Sequence, residues 1–190
     1  MSFPDLYILR HGQTEWNAEH RVQGGLDSPL TAQGREEAAR QRALLAECDL
    51  TGFRALTSPQ GRAVQTAAIA LTGLVPAIHT DPRLAEIRVG DWEGLRRDEL
   101  PGVTATDERE ESALALYDLA PRGEGLAALR RRCEAFLSDL DGPAILVTHG
   151  ITSRMLRLVW LDQPTEQIAA LPGGQGVVFH LSDGQHRSLG

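Results

Sequence analysis

The chain has 190 residues, 42% apolar and 24% charged, with a formal net charge of −7. That balance is globular rather than disordered, and the acidic excess argues against a broad nucleic-acid footprint. All 19 basic residues are arginines, which excludes Schiff-base, P-loop-lysine and kinase-lysine chemistry.

From the N-terminus, Met1 to Arg10 lacks the basic-then-apolar pattern of a signal peptide. Asp5 to Leu9 reads as a buried strand that Arg10-His11-Gly12 ends. Gly24-Gly25 and Asp27-Ser28-Pro29 mark a loop, and Thr31 is the N-cap of a helix carrying Ala39, Ala43 and Ala46 at helical spacing. Phe53 to Thr57 is a second short strand. Ser58-Pro59 reads as a helix start, with Ala63, Ala67, Ala70 and Leu71 as the apolar face that follows. Val75 to His79 is a third strand, and Thr80 to Arg96 is turn-rich without a period. Asp107 to Glu111 is an acidic stretch of the solvated kind. Gly125 to Leu140 is the clearest helix, its stripe made by Leu126, Leu129, Cys133, Phe136 or Leu137, and Leu140; Arg130-Arg131-Arg132 reads as its solvated face. Ala144 to Thr148 is a buried strand, His149-Gly150 opens a helix through Leu161, and Gly176 to Leu181 is a strand. Ser182-Asp183-Gly184-Gln185 is a hairpin turn into a last short strand.

Strands alternating with helices predict a three-layer α/β/α fold with a mainly parallel mixed sheet and an antiparallel edge strand. Residues 1–190 read as a single domain, with 88–125 as an inserted cap segment over the active site. Cys48 and Cys133 are too far apart in sequence for a zinc knuckle or a redox pair, and no apolar run approaches ~20 residues. The expectation is a soluble, cytoplasmic protein without a membrane span.

His11 and His149 each follow a buried strand and each precede a glycine, which permits close backbone approach to a ligand. In open α/β sheets ligands sit beyond the carboxyl ends of strands. The two imidazoles are therefore either loop histidines satisfied separately or two groups facing one crevice. Arg10 adjoins His11, and Arg62 sits in the first turn of the helix after Ser58, where free N–H groups and guanidinium favour phosphate. Thr14, Asn17 and Gln23 add short polar groups after His11, each alone a common turn former. No clustered carboxylates or histidines stand at metal-ligand spacing, so no metal and no cofactor is expected.

Leu9-Arg10-His11-Gly12-Gln13-Thr14-Glu15-Trp16-Asn17 resembles the signature of the histidine phosphatase superfamily, the phosphoglycerate mutase-like group. Three further blocks agree in order: Thr57 to Ala67 around Arg62; Leu84-Ala85-Glu86 with Gly90-Asp91-Trp92-Glu93-Gly94; and Val147-Thr148-His149-Gly150. The resemblance implies that His11 is the nucleophile accepting the phosphoryl group, that Arg10, Arg62 and His149 hold its oxygens, and that Glu86 protonates the leaving alcohol. It implies that Asn17, Gln23, Ser58 and Gly150 border the substrate. Gln60 departs from the pattern, where leucine is common, and so does Arg88.

The resembling mutases carry a longer insertion, with a lysine and paired arginines, between the acid and the second histidine. Here Ile87 to Thr148 spans 62 residues without a lysine. The expected activity is hydrolysis of a small-molecule phosphomonoester. The alternatives are mutase-type phosphoryl transfer and, from another class, a phosphate-binding signalling module with little turnover.

Overall fold

The computed structural model describes residues 3–101 and 114–190. The acidic stretch from Asp107 to Glu111 lies outside the described residues.

Strand β1 (Leu6–Arg10) is buried throughout, and its side chains alternate between two cores. Leu6 and Ile8 join the cluster that holds Leu129, Phe136, Met155 and Phe179, whereas Tyr7 and Leu9 join the one that holds Ala63, Ala67 and Leu71. This period of two, with no polar face, belongs to a strand covered on both sides. Helices α2 (Ala32–Ala46) and α3 (Gly61–Leu71) cover one face of the sheet; α4 (Leu126–Ser138) and α5 (Gly150–Trp160) cover the other. The result is the expected α/β fold.

The remaining strands are β2 (Arg54–Thr57), β3 (Ile78–Thr80), β4 (Ala144–Thr148), β5 (Val178–Ser182) and β6 (Gln185–Leu189), in the spatial order β3-β2-β4-β1-β5-β6. The first four are parallel; β5 and β6 run antiparallel and form the edge as the hairpin expected at Ser182 to Gln185. Its turn residues Asp183 and Gly184 have φ of 50° and 72°, the double left-handed geometry of a tight two-residue hairpin loop.

Local signals placed several boundaries well. Thr31 caps α2, its side chain accepting from Gly34 N–H at 3.0 Å. The stripe Leu126, Leu129, Cys133, Phe136 and Leu137 is buried, as periodicity predicted. Others moved. Helix α3 starts at Gly61 with Gln60 as N-cap, so Ser58-Pro59 precedes the helix instead of opening it. The third strand begins at Ile78, three residues later than expected. A short helix α1 (Glu15–Ala18), closed by a Thr14–Asn17 capping box, was not anticipated.

The glycine after His11 serves packing. A Cβ on Gly12 would collide with the Gly34 carbonyl, and one on Gly34 with the Gln13 carbonyl, so two glycines let α2 lie against the His11 loop. Among the described residues, no helix is long and apolar enough to cross a membrane, and no group of three His, Cys, Asp or Glu side chains could hold a metal ion.

Candidate active site

The register of three parallel strands assembles the site. Arg10 pairs with Thr148 across β1 and β4, so His11 and His149 leave adjacent strand ends, and His11 N–H donates to Thr148 O at 2.9 Å. Thr57 pairs with Val147, which brings Ser58 and the start of α3 alongside. The two imidazoles come within 5.1 Å, centroid to centroid, at 60°. They share one site, and the reading of two unrelated loop histidines is set aside.

His11 is buried, and its Nδ1 lies 2.7 Å from its neighbour's carbonyl, Gly12 O. A carbonyl only accepts, so Nδ1 carries the proton and Nε2 presents its lone pair. That lone pair meets Arg62 Nε at 3.3 Å. Burial, then the charges of Arg62 and Arg10, hold His11 well below the ordinary histidine range. His149 is likewise held well below it, by burial first and then by Arg62, His11 and Arg10. Its Nε2 lies 2.7 Å from Ser58 Oγ.

Arg62 is almost fully buried, and burial lowers its pKa. Its Nη1 donates to Asp27 Oδ1 at 2.9 Å and Leu26 O at 2.6 Å, and its Nη2 to Gly24 O at 3.2 Å. The guanidinium thus fixes the 24–27 loop while presenting its Nε edge to His11.

Glu86 lies in irregular chain between short 3-10 turns at Pro82–Leu84 and Gly90–Trp92. Its carboxylate accepts from Ile151 N–H at 3.1 Å and from Thr152 N–H at 3.0 Å, and Thr152 Oγ1 lies 3.0 Å from the same oxygen. His149, the N-cap residue of α5, makes no side-chain cap bond. Glu86 therefore supplies that cap from a distant segment, at the positive end of the helix.

Arg10, His11, Arg62 and Glu86 line one cleft with Asn17 and Gln23, enclosing about 400 Å³ of empty space that includes open solvent. His149, Ser58 and Gly150 do not line it; His149 is fully buried against His11, Ser58 stands against His149, and Gly150 is the buried first residue of α5. Arg21, Val22, Ile87 and Ile151 line it without having been anticipated, and Arg97 and Tyr117 reach it from the segment expected to cap it. Sequence offered no signal for the apolar pair Ile87 and Ile151 beyond their position next to Glu86 and Gly150. Arg132 is not on a solvated face: its side chain is 19% exposed and its Nε donates to Glu124 Oε1 at 2.9 Å.

A family model, the histidine phosphatase superfamily (branch 1), matches residues 6–187. The chain is 36% identical over 156 residues to the "Probable phosphoglycerate mutase GpmB" of Enterobacter sp. (strain 638), covering 77% of this chain and 69% of the relative. In structure it is similar to a mycobacterial glucosyl-3-phosphoglycerate phosphatase solved with VO3 (TM-score 0.79, 28% identity, 98% of this chain and 96% of the other). It is also similar to the alpha-ribazole phosphatase of Shigella flexneri (TM-score 0.78, 27% identity, 96% and 93%). The chain belongs to the histidine phosphatase superfamily.

Proposed function

We propose that the protein hydrolyses a small-molecule phosphomonoester through a phosphohistidine on His11. The observation that carries this is the placing of the His11 ring: Nδ1 lies 2.7 Å from Gly12 O, and Nε2 faces Arg62 Nε at 3.3 Å in the cleft that Glu86 also lines. In the first step Nε2 forms a bond to phosphorus while the bond from phosphorus to the ester oxygen breaks. Glu86, in its protonated form, gives its proton to that oxygen and the alcohol leaves. In the second step water attacks phosphorus, Glu86 takes its proton, the N–P bond breaks and inorganic phosphate departs. Arg10, Arg62 and His149 hold the phosphoryl oxygens, whose charge dominates such a transition state. Asn17 and Gln23 border the substrate. Ser58 orients His149, and Gly150 sets the helix N-terminus behind it. No metal or cofactor enters the scheme.

Residues 1–190 act as one domain in this reading, with 88–125 as the cap; Arg97 and Tyr117 on the cleft wall support it. Hydrolysis is favoured over phosphoryl transfer by the lysine-free interval from Ile87 to Thr148 and by similar structures named as phosphatases. The mutase reading has one observation in its favour, the name of the curated relatives. Comparing phosphate release with 2- to 3-phosphoglycerate interconversion decides between them, and saturable binding without release would mark a binding module.

His11→Ala is expected to lower turnover of an aryl phosphate by ~10³-fold or more, as loss of a nucleophile does. Quenched-flow trapping of the native protein is expected to yield an acid-labile, base-stable phosphoenzyme. Near-normal activity of His11→Ala, or a base-labile acyl phosphate alone, overturns the mechanism.

A further inference from the structure

Glu86 is held by neither a helix nor a strand ladder, so side chains from elsewhere must fix its backbone. They do so at one peptide group. The Glu86 N–H donates to Gln60 Oε1 at 2.8 Å. The carbonyl of the same peptide, Ala85 O, accepts from Arg132 Nη1 at 2.9 Å and Thr152 Oγ1 at 2.8 Å. With both ends tied, the peptide plane is held, and it places the Glu86 Cα where the carboxylate reaches Ile151 N–H and Thr152 N–H.

Each gripping side chain is anchored in turn. Gln60 Nε2 donates to Gly24 O at 2.9 Å, the carbonyl on which Arg62 Nη2 also converges. An N–H must donate and a carbonyl must accept, so these two partners determine which amide atom faces which. Gln60 thereby links the Glu86 segment to the loop that Arg62 holds. Arg132 also donates to Arg83 O at 2.5 Å and pairs in fork geometry with Glu124, at 2.9 Å for both contacts. Glu124 Oε2 accepts from Arg88 N–H at 3.3 Å. The backbone is therefore held on either side of Glu86. Neither Gln60 nor Arg132 lines the cleft.

We propose that Gln60 and Arg132 are positioning residues that grip the Ala85–Glu86 peptide from opposite ends and set where the Glu86 carboxyl meets the leaving oxygen. The proposal rests on the reading of Glu86 as the acid. Small displacements of a reacting group cost large factors in rate, so loosening this grip weakens proton donation far more than phosphate capture.

Leaving-group dependence separates this role from a merely structural one. Phenyl phosphate releases a phenoxide whose conjugate acid has a pKa near ~10, as tyrosine does, and so needs the proton. The 2,4-dinitrophenolate released from 2,4-dinitrophenyl phosphate is a much weaker base and leaves without help. Glu86→Gln is expected to lose ~10²-fold in kcat/KM on phenyl phosphate and far less on the dinitrophenyl ester. Gln60→Met, close in volume but unable to make either bond, is expected to lose about tenfold on phenyl phosphate and less than about threefold on the activated ester. Arg132→Lys keeps the charge and loses the fork, and is expected to show the same selectivity. If it fails to fold, Gln60→Met still decides. Equal losses on both esters for Glu86→Gln overturn the acid reading and this proposal with it. A selective loss for Glu86→Gln beside an unselective or absent loss for Gln60→Met overturns this proposal alone.

Discussion

Histidines held below their ordinary range beside buried arginines occur in two regions of this molecule. At the carboxyl ends of β1 and β4, His11 and His149 lie near Arg62 and Arg10. At the antiparallel edge, His186 in β6 is pushed down to about 4 by burial and by Arg157 of α5. Depressed basicity is thus common to both and marks neither as a site. What differs is where the groups point. Arg157 is spent on the interior: it donates to Ser153 O at 3.2 Å and Pro172 O at 2.8 Å, meets His186 Nε2 at 3.2 Å, and lies 3.8 Å over the Phe179 ring. Its own pKa falls to about 9, through burial and then the nearby Arg154. Arg62 has a carboxylate partner, Asp27, and faces a lone pair on a cleft wall. Both guanidiniums close on carbonyls, but Arg157 ends in the core against a ring face, whereas Arg62 lies on a cleft wall with its Nε toward His11.

The contrast breaks most easily at the two arginines. Arg62→Ala is expected to cost ~10²–10³-fold in kcat/KM on an aryl phosphate, the scale of one lost transition-state donor. Arg157→Ala is expected to reverse the pattern, with activity within about threefold and unfolding free energy down by ~2–4 kcal/mol, because a filled core position is emptied and carbonyls lose their donor. Urea titrations and initial rates on both variants check this; an active Arg62→Ala or an inactive but stable Arg157→Ala would erase the distinction.

A smaller effect sharpens it. Because the folded chain holds His186 near 4, the unfolded chain binds the extra proton first as pH falls. Stability is therefore full above about pH 6.5 and declines toward pH 4. His11 and His149 add to the slope in the same direction. His186→Gln keeps an acceptor for Arg157 and removes the titration, so its Tm is expected to fall less than the native one between pH 7 and pH 5. Identical Tm profiles would leave the slope to His11, His149 and His180, which burial also lowers.

Much of the site was legible before any fold. The four ordered blocks named His11, Arg62, Glu86 and His149; the first three line one cleft, and His149 packs against His11 without lining it. Less legible was how they are held. Arg132 read as solvated because it sits in a run of three arginines, yet its helix turns it toward Glu124 and the carbonyls of Arg83 and Ala85. Gln60 stood out only as a departure from leucine; its role needs Gly24 and Glu86 on either side of it. The chemistry of each residue type was visible in the string, but its partner was not.

Sequence by itself determined β1, β2 and β4, the Thr31 cap, the stripe of α4 and the tight turn at Asp183-Gly184, because each depends on neighbours within a turn or two. Only the tertiary structure decided that Glu86 would cap a helix 65 residues away and that Arg132 would reach a carbonyl 47 residues back. Those pairings depend on which strands lie side by side and on how the helices cross them, and hydrogen-bonding groups carry no local mark of the partner that sheet order brings within reach.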